Sequence, residues 1–149
     1  PVDWNGRRNH DEIRFWAEYI QQPEAQWLID DQGKTGGLAA KSRFVILGDL
    51  NADPIDGNSV KDAAKQLLDH PLINASIVPK SEGALDKVPA SFSERETKTS
   101  HFHLRCDYVL PSRFGIEALS SGVHWPKDNP LVDIASDHRM VWLTMKLLP

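Results

Sequence analysis

The chain of 149 residues has 40% hydrophobic and 26% charged residues, a balance typical of one folded domain and unlike that of a disordered chain. Its net charge of −4 argues against binding to nucleic acid through bulk positive charge, but it leaves open an enzyme that meets a single phosphate. Cys106 is the only cysteine, which excludes an intramolecular disulfide, and no apolar run approaches the roughly 20 residues of a membrane span.

The first predicted element is an amphipathic helix over residues 9–22, because apolar residues recur there at helical spacing. Asn9 is the expected N-cap, with Glu12 as its capping-box partner. The Gly-rich segment 30–37 predicts a surface loop. The apolar stripe of the helix comprises Ile13, Phe15, Trp16, Tyr19 and Ile20.

The second predicted element is a strand over residues 43–50, around the continuous apolar run 44–47. Such a run indicates a strand buried on both faces, as in a layered α/β fold. Asn58 is then the expected N-cap of a helix that reaches Asp69.

Residues 73–103 show poor periodicity and predict a long loop, with a short strand at 91–93. The remainder predicts three strands, with a turn-rich loop at 126–130. Because short links join these strands, antiparallel pairing within a mixed sheet is expected. The three strands are predicted at 105–110, 116–125 and 139–147.

Asp49 and Asn51 follow the predicted buried strand and stand two positions apart. The period of two in a strand sends both side chains to the same side, where they could hold a hard cation or a phosphate oxygen and orient a water. The alternative is a simple turn, because Asp and Asn side chains bond their own backbone.

Further candidate residues lie beside or within two other predicted strands. The adjacent Asp137 and His138 offer a metal ligand and an imidazole for proton transfer, although a strand-start cap is the alternative. Asp107 lies among apolar neighbours in its strand and therefore needs a partner. A structural ion pair with Arg105 or Arg113 is the alternative for Asp107.

The run that begins at Asp49 also resembles the start of an EF-hand loop. Pro54 stands where that loop needs glycine, and Val60 stands where it needs the bidentate glutamate. A Ca²⁺-binding structural module is therefore disfavoured.

Three segments in this order, 48–54, 105–110 and 136–139, resemble the second half of the catalytic domain of the endonuclease/exonuclease/phosphatase family, the DNase I-like phosphoesterases. Residues 1–20 are similar to the middle segment of that family. The resemblance implies an α/β fold, a four-layer sandwich of two mixed sheets with helices outside. This chain would supply about half of it, as a mixed, largely antiparallel sheet with flanking helices.

The resemblance also implies roles for the candidate residues. Asp49 would orient or deprotonate the attacking water and, with Asp137, bind a divalent cation. The expected cation is Mg²⁺, with Mn²⁺ and Ca²⁺ as alternatives. Asn51 would hold an oxygen of the scissile phosphate, and His138 would contact the phosphate and stabilise its developing charge. Asp107 would orient a catalytic histidine. The implied reaction is attack of water on phosphorus.

The family's early Asn, metal-binding Glu and further active-site His have no counterpart here. Residues 1–149 are therefore expected to be the C-terminal part of one domain, with little activity alone. The expected partners are a phosphoester substrate, nucleic acid or a small phosphodiester, and either the missing N-terminal half or a second copy on the exposed sheet. The resemblance favours a secreted or periplasmic protein. The alternative function is a binding or scaffolding module that keeps the fold without turnover.

Overall fold

The computed structural model describes residues 3–60 and 62–149, so Pro1, Val2 and Lys61 lie outside it. Its helices and strands follow one another in mixed order, which confirms an α/β chain. They are α1 (Trp4–Gln21), β1 (Val45–Asp49), α2 (Lys65–Leu68), α3 (Glu82–Lys87), a 3₁₀ turn (Arg95–Thr97), β2 (Asp107–Pro111), β3 (Ile116–Val123), α4 (Leu131–Ala135) and β4 (Val141–Leu147).

Helix α1 begins earlier than the sequence predicted. Asp3 is the N-cap, and its carboxylate accepts a hydrogen bond of 2.9 Å from the backbone N–H of Gly6. The predicted cap at Asn9 is wrong, because Asn9 lies inside the helix and its side chain donates instead to the carbonyl of Leu50 at 2.8 Å. The stripe is also narrower than predicted, since Trp16 is 44% exposed. Its buried residues are Ile13, Ala17 and Ile20.

Strands β1 and β2 pair antiparallel, and their even-numbered side chains face the main core. Ile46 and Leu110 are cross-strand partners, and both contact the cluster that contains the buried face of α1. The prediction that β1 is buried on both faces is wrong, because Leu47 on the opposite face is 68% exposed. In the described part of the chain, β1 is covered on one face only.

The two middle predictions need correction. The helix predicted over 58–69 is reduced to α2, preceded by a turn at 62–64, although Ala63, Ala64 and Leu67 are buried as expected. The long predicted loop contains α3, capped by the Ser81 hydroxyl, and residues 91–93 form turns rather than a strand. Short helices of this kind escape detection because they contain fewer than two turns of periodic pattern.

Strands β3 and β4 form a second antiparallel pair, from Ile116↔Leu147 to Val123↔Val141, with a bulge between Ala118 and Ser120. The predicted strands are confirmed with slightly shorter bounds, whereas α4 between them was not predicted. Every strand pairing among the described residues is antiparallel, so the predicted mixed sheet is wrong for this part of the chain. None of the described helices is long and apolar enough to span a membrane.

Candidate active site at the end of β1 and β2

The register of β1 and β2 places two carboxylates opposite each other. Asp49 is the last residue of β1, and its Cα partner across the ladder is Asp107, the first residue of β2. Like charges directly opposite each other in a sheet are destabilising unless neighbouring groups compensate them. The groups around these two acids are therefore the key to the site.

Asp49 is compensated by Asn51 through a tight turn. One carboxylate oxygen accepts from the backbone N–H of Asn51 at 2.7 Å, and the other accepts from its amide nitrogen at 3.0 Å. Asn51 adopts a left-handed conformation with φ of 47°, which Asn tolerates better than most residues. The two side chains are thus adjacent as predicted, but the turn and not strand alternation brings them together. The turn that was the alternative interpretation of Asp49 and Asn51 is therefore present, and it also brings their side chains together as the site prediction required.

Asp107 is compensated by His138 and Thr99. Its Oδ2 lies 2.9 Å from Nδ1 of His138 and accepts a hydrogen bond of 2.7 Å from the Thr99 hydroxyl. The alternative prediction, that Asp107 pairs with Arg105 or Arg113, is wrong, because its partner is His138. The guanidinium of Arg105 lies over the Tyr108 ring instead, 4.7 Å from its centroid.

The electrostatic surroundings raise the pKa of His138. Partial burial alone would lower this pKa, but the hydrogen bond that the ring donates to Asp107 and the negative charges of Asp107, Asp49 and Asp137 outweigh that effect. The ring is therefore biased toward the cationic form, which can donate a proton or a hydrogen bond to an anion.

A buried ion pair lies behind the site, and sequence reasoning missed it. The Lys98 ammonium contacts Asp53 at 2.8 Å and Asp56 at 2.6 Å, and its side chain is only 1% exposed. Burial alone would raise the pKa of Asp53, but the Lys98 bond and three backbone donors hold that pKa below its usual value. One of these donors is the N–H of Arg105 at 2.7 Å. The pair therefore joins the loop after β1 to the segment before β2.

The segment that carries Asp137 and His138 is held from behind by Arg139. Its buried guanidinium donates to the carbonyls of Ser136 at 2.6 Å and His138 at 3.1 Å, pairs with Asp133, and stacks on Trp125. The Asp137 side chain is exposed, and its backbone carbonyl accepts from the N–H of His101 at 2.8 Å. Arg139 follows directly after the Ser-Asp-His motif, but nothing in the sequence marks it as buried.

The donor atoms of the site suit a hard cation. Asp49, Asp107 and His138 each offer one ligand atom, and these atoms lie within 4.8 Å of one another. Carboxylate oxygens are the usual ligands of Mg²⁺, Mn²⁺ and Ca²⁺, and a cation would also relieve the repulsion between the facing acids. Since Nδ1 of His138 is engaged with Asp107, the carboxylate of Asp49 is the better donor of the group. Asp137 lies outside this group, so its role as a ligand stays a prediction.

Comparison with known proteins gives a family match. A model of the endonuclease/exonuclease/phosphatase family matches residues 2–138. Members of this family are generally hydrolases of phosphoester bonds that use a divalent metal. No curated protein and no solved structure matches the chain. Because the match covers nearly all of the sequence, the chain belongs to the endonuclease/exonuclease/phosphatase family.

Proposed function

We propose that this chain carries the water-activating and phosphate-holding side of a divalent-metal-dependent phosphoester hydrolase. The observation that carries the proposal is the corner at which Asp49 faces the hydrogen-bonded pair of Asp107 and His138. A carboxylate beside an imidazole that favours its protonated form supplies a general base and a hydrogen-bond donor close together. The family match supplies the reaction class, hydrolysis of a phosphoester bond.

In this proposal each side chain has one task. Asp49 accepts the proton of the attacking water as that water approaches phosphorus. Asn51 uses one N–H to hold Asp49 and has a second with which to bind a phosphate oxygen. His138 donates from Nε2 to the phosphate, because its Nδ1 is occupied by Asp107. The charge that develops on phosphorus is thereby met by fixed donors, which need no reorganisation during the reaction.

Asp49 and Asp137 would hold the divalent cation, and Mg²⁺ is the first choice. When bound, the cation neutralises negative charge on the phosphoryl group and on the facing acids. The fold we propose around this site is the four-layer sandwich of the family. A missing N-terminal half would supply the remaining active-site residues, whereas a second copy of the chain would only cover the exposed sheet.

Exposed apolar side chains on both strand pairs are the reason to expect such a partner. Leu47 on β1 and Leu147 on β4 are 68% and 65% exposed, and Leu119 and Trp142 are also exposed. Light scattering on the purified chain should show self-association or, when the N-terminal half is supplied, a heterodimer. A stable monomer that ignores an added N-terminal half would contradict this part of the proposal.

The function is tested with bis-p-nitrophenyl phosphate, Mg²⁺ and three variants. Any rate above background should disappear with a chelator and should fall about 10²- to 10⁴-fold in Asp49→Asn and His138→Gln, the range for loss of a general base or acid. Asp69→Asn removes an exposed carboxylate away from the site and serves as the matched control. We expect the chain alone to be slow, so the assay is repeated after adding the N-terminal half.

Two outcomes would change the proposal. If the wild-type rate survives in both Asp49→Asn and His138→Gln, these two residues do not catalyse the hydrolysis. If no preparation turns over while the chain still binds a phosphodiester independently of Asp49 and His138, a binding or scaffolding module is the better description.

A further inference from the structure

We propose that Thr99 is a positioning residue, whose hydroxyl fixes the carboxylate of Asp107 and, through it, the ring of His138. This inference rests on the proposed function, because it concerns the same site. Thr99 is buried, with 1% of its surface exposed, so its hydroxyl acts through Asp107 and does not touch substrate.

The direction of the Thr99 O–H bond is set by its neighbours. The hydroxyl oxygen accepts from the backbone N–H groups of Cys106 at 2.9 Å and Asp107 at 3.1 Å. A threonine hydroxyl has two lone pairs and one proton, so these two donors use its accepting capacity. The proton is left to point at Oδ2 of Asp107, 2.7 Å away. The orientation follows from the count of donors and acceptors alone.

Two donors therefore meet at one oxygen atom. Oδ2 of Asp107 accepts from Thr99 at 2.7 Å and from Nδ1 of His138 at 2.9 Å. Rotation of the carboxylate would lengthen both bonds together. Since a carboxylate only accepts, Nδ1 of His138 must carry a proton, and Nε2 is the nitrogen left to face a substrate. The Thr99 hydroxyl thus stabilises the ring orientation that the proposed mechanism needs.

The backbone of Thr99 holds the two partners of this pair in place. Its N–H donates to the carbonyl of Leu104 at 3.0 Å, and its carbonyl accepts from the N–H of Arg139 at 2.7 Å. The preceding residue, Lys98, is fixed by its buried ion pairs with Asp53 and Asp56. One residue therefore links the segment before β2, which leads to Asp107, with the segment before β4, which carries His138.

The test uses Thr99→Val, which keeps the branched shape without the hydroxyl, and Thr99→Ser, which keeps the hydroxyl. The matched control is Ser100→Ala, because Ser100 is equally buried and its hydroxyl bonds to the backbone of Leu104 and to the Cys106 thiol rather than to Asp107 or His138. With bis-p-nitrophenyl phosphate and Mg²⁺, kcat should fall about 10- to 100-fold in Thr99→Val while KM changes little, the usual effect of losing such a supporting group. Thr99→Ser and Ser100→Ala should remain close to wild type.

A second measurement does not need activity. Nitrogen–proton correlation NMR on the ring of His138 should show a hydrogen-bonded Nδ1–H signal in wild type, Thr99→Ser and Ser100→Ala, and a weakened or lost signal in Thr99→Val. Thr99→Ala serves if the valine variant does not fold, as judged by circular dichroism. An inactive wild type with this NMR pattern would count against the proposed function but support the positioning role. An unchanged Nδ1–H signal in Thr99→Val, or a kcat of Thr99→Val equal to that of Ser100→Ala, would overturn the positioning role of Thr99.

Discussion

The two antiparallel strand pairs of this chain differ in the charges that face each other across the ladder. In β3 and β4, Glu117 lies opposite Lys146, an arrangement that stabilises a sheet. In β1 and β2, Asp49 lies opposite Asp107, an arrangement that destabilises one. A like-charge pair at the end of a ladder is a local conflict, and such conflicts are expected at functional sites. The contrast agrees with the proposed function, which places the base Asp49 and the orienting Asp107 at the end of β1 and β2.

The network around the acid pair explains how the conflict is tolerated. Asn51 donates twice to Asp49, while Thr99 and His138 donate to Asp107. The loop behind them is held by the buried contacts of Lys98 with Asp53 and Asp56. The site is therefore a set of charges fixed by donors, which is the arrangement that favours electrostatic catalysis.

The largest expected effect concerns this support of β1 and β2. Lys98→Met should lower the free energy of unfolding by about 3–5 kcal/mol, because it leaves Asp53 buried without its cation. Urea denaturation measures the change. The control is Lys80→Met, which removes an exposed pair with Glu96 and should cost about 0–1 kcal/mol. An equal loss of unfolding free energy in the two variants would show that the buried pairs of Lys98 contribute no more than an exposed pair.

A smaller effect tests the charge contrast itself. Asp49→Asn removes one of two facing negative charges, which should raise the free energy of unfolding by about 0.2–1 kcal/mol, less the loss of one acceptor for the Asn51 amide. Glu117→Gln removes half of an opposite-charge pair and should lower it by a similar amount. Both are measured in low salt, where screening is least. A loss of stability in Asp49→Asn would show that its charge is already fully compensated in the folded chain.

The smallest expected effect is a pH dependence that lies outside both strand pairs. Burial lowers the pKa of His70 from 6.5, so the folded chain binds this proton less readily than the unfolded chain. The stability from neutral His70 is thus complete above the unfolded pKa and is lost as pH falls through about 6.5 toward the folded value. Melting curves at about pH 7.5 and pH 5.5 should show a smaller acid loss in His70→Asn than in wild type. An equal loss would mean that other groups carry it.

Local sequence signals were sufficient to single out the residues that we propose perform the chemistry. Asp49 with Asn51, and Asp137 with His138, are close in sequence and lie beside strands whose patterns are readable. The strand register then fixed the contact of Asp49 with Asp107, which no local signal could supply. The family prediction is confirmed by the match over residues 2–138.

The supporting residues were not predictable for a physical reason. Lys98 and Thr99 lie in a polar stretch without periodicity, and their partners Asp53 and Asp107 are brought to them only by tertiary folding. The start of α1 was misplaced for a related reason, because Asn9 has the chemistry of a cap but uses it to bind the loop at Leu50. In each case a long-range contact decides the role of a polar side chain.

The most direct test of the central claim is hydrolysis of bis-p-nitrophenyl phosphate in heavy-oxygen water with Mg²⁺, with the proposed N-terminal half added where the chain alone is too slow. If water attacks phosphorus with Asp49 as the base, the p-nitrophenyl phosphate product should contain one heavy oxygen, and Asp49→Asn should form almost no labelled product. Product without the heavy label, or labelled product formed at the wild-type rate by Asp49→Asn, would contradict the account.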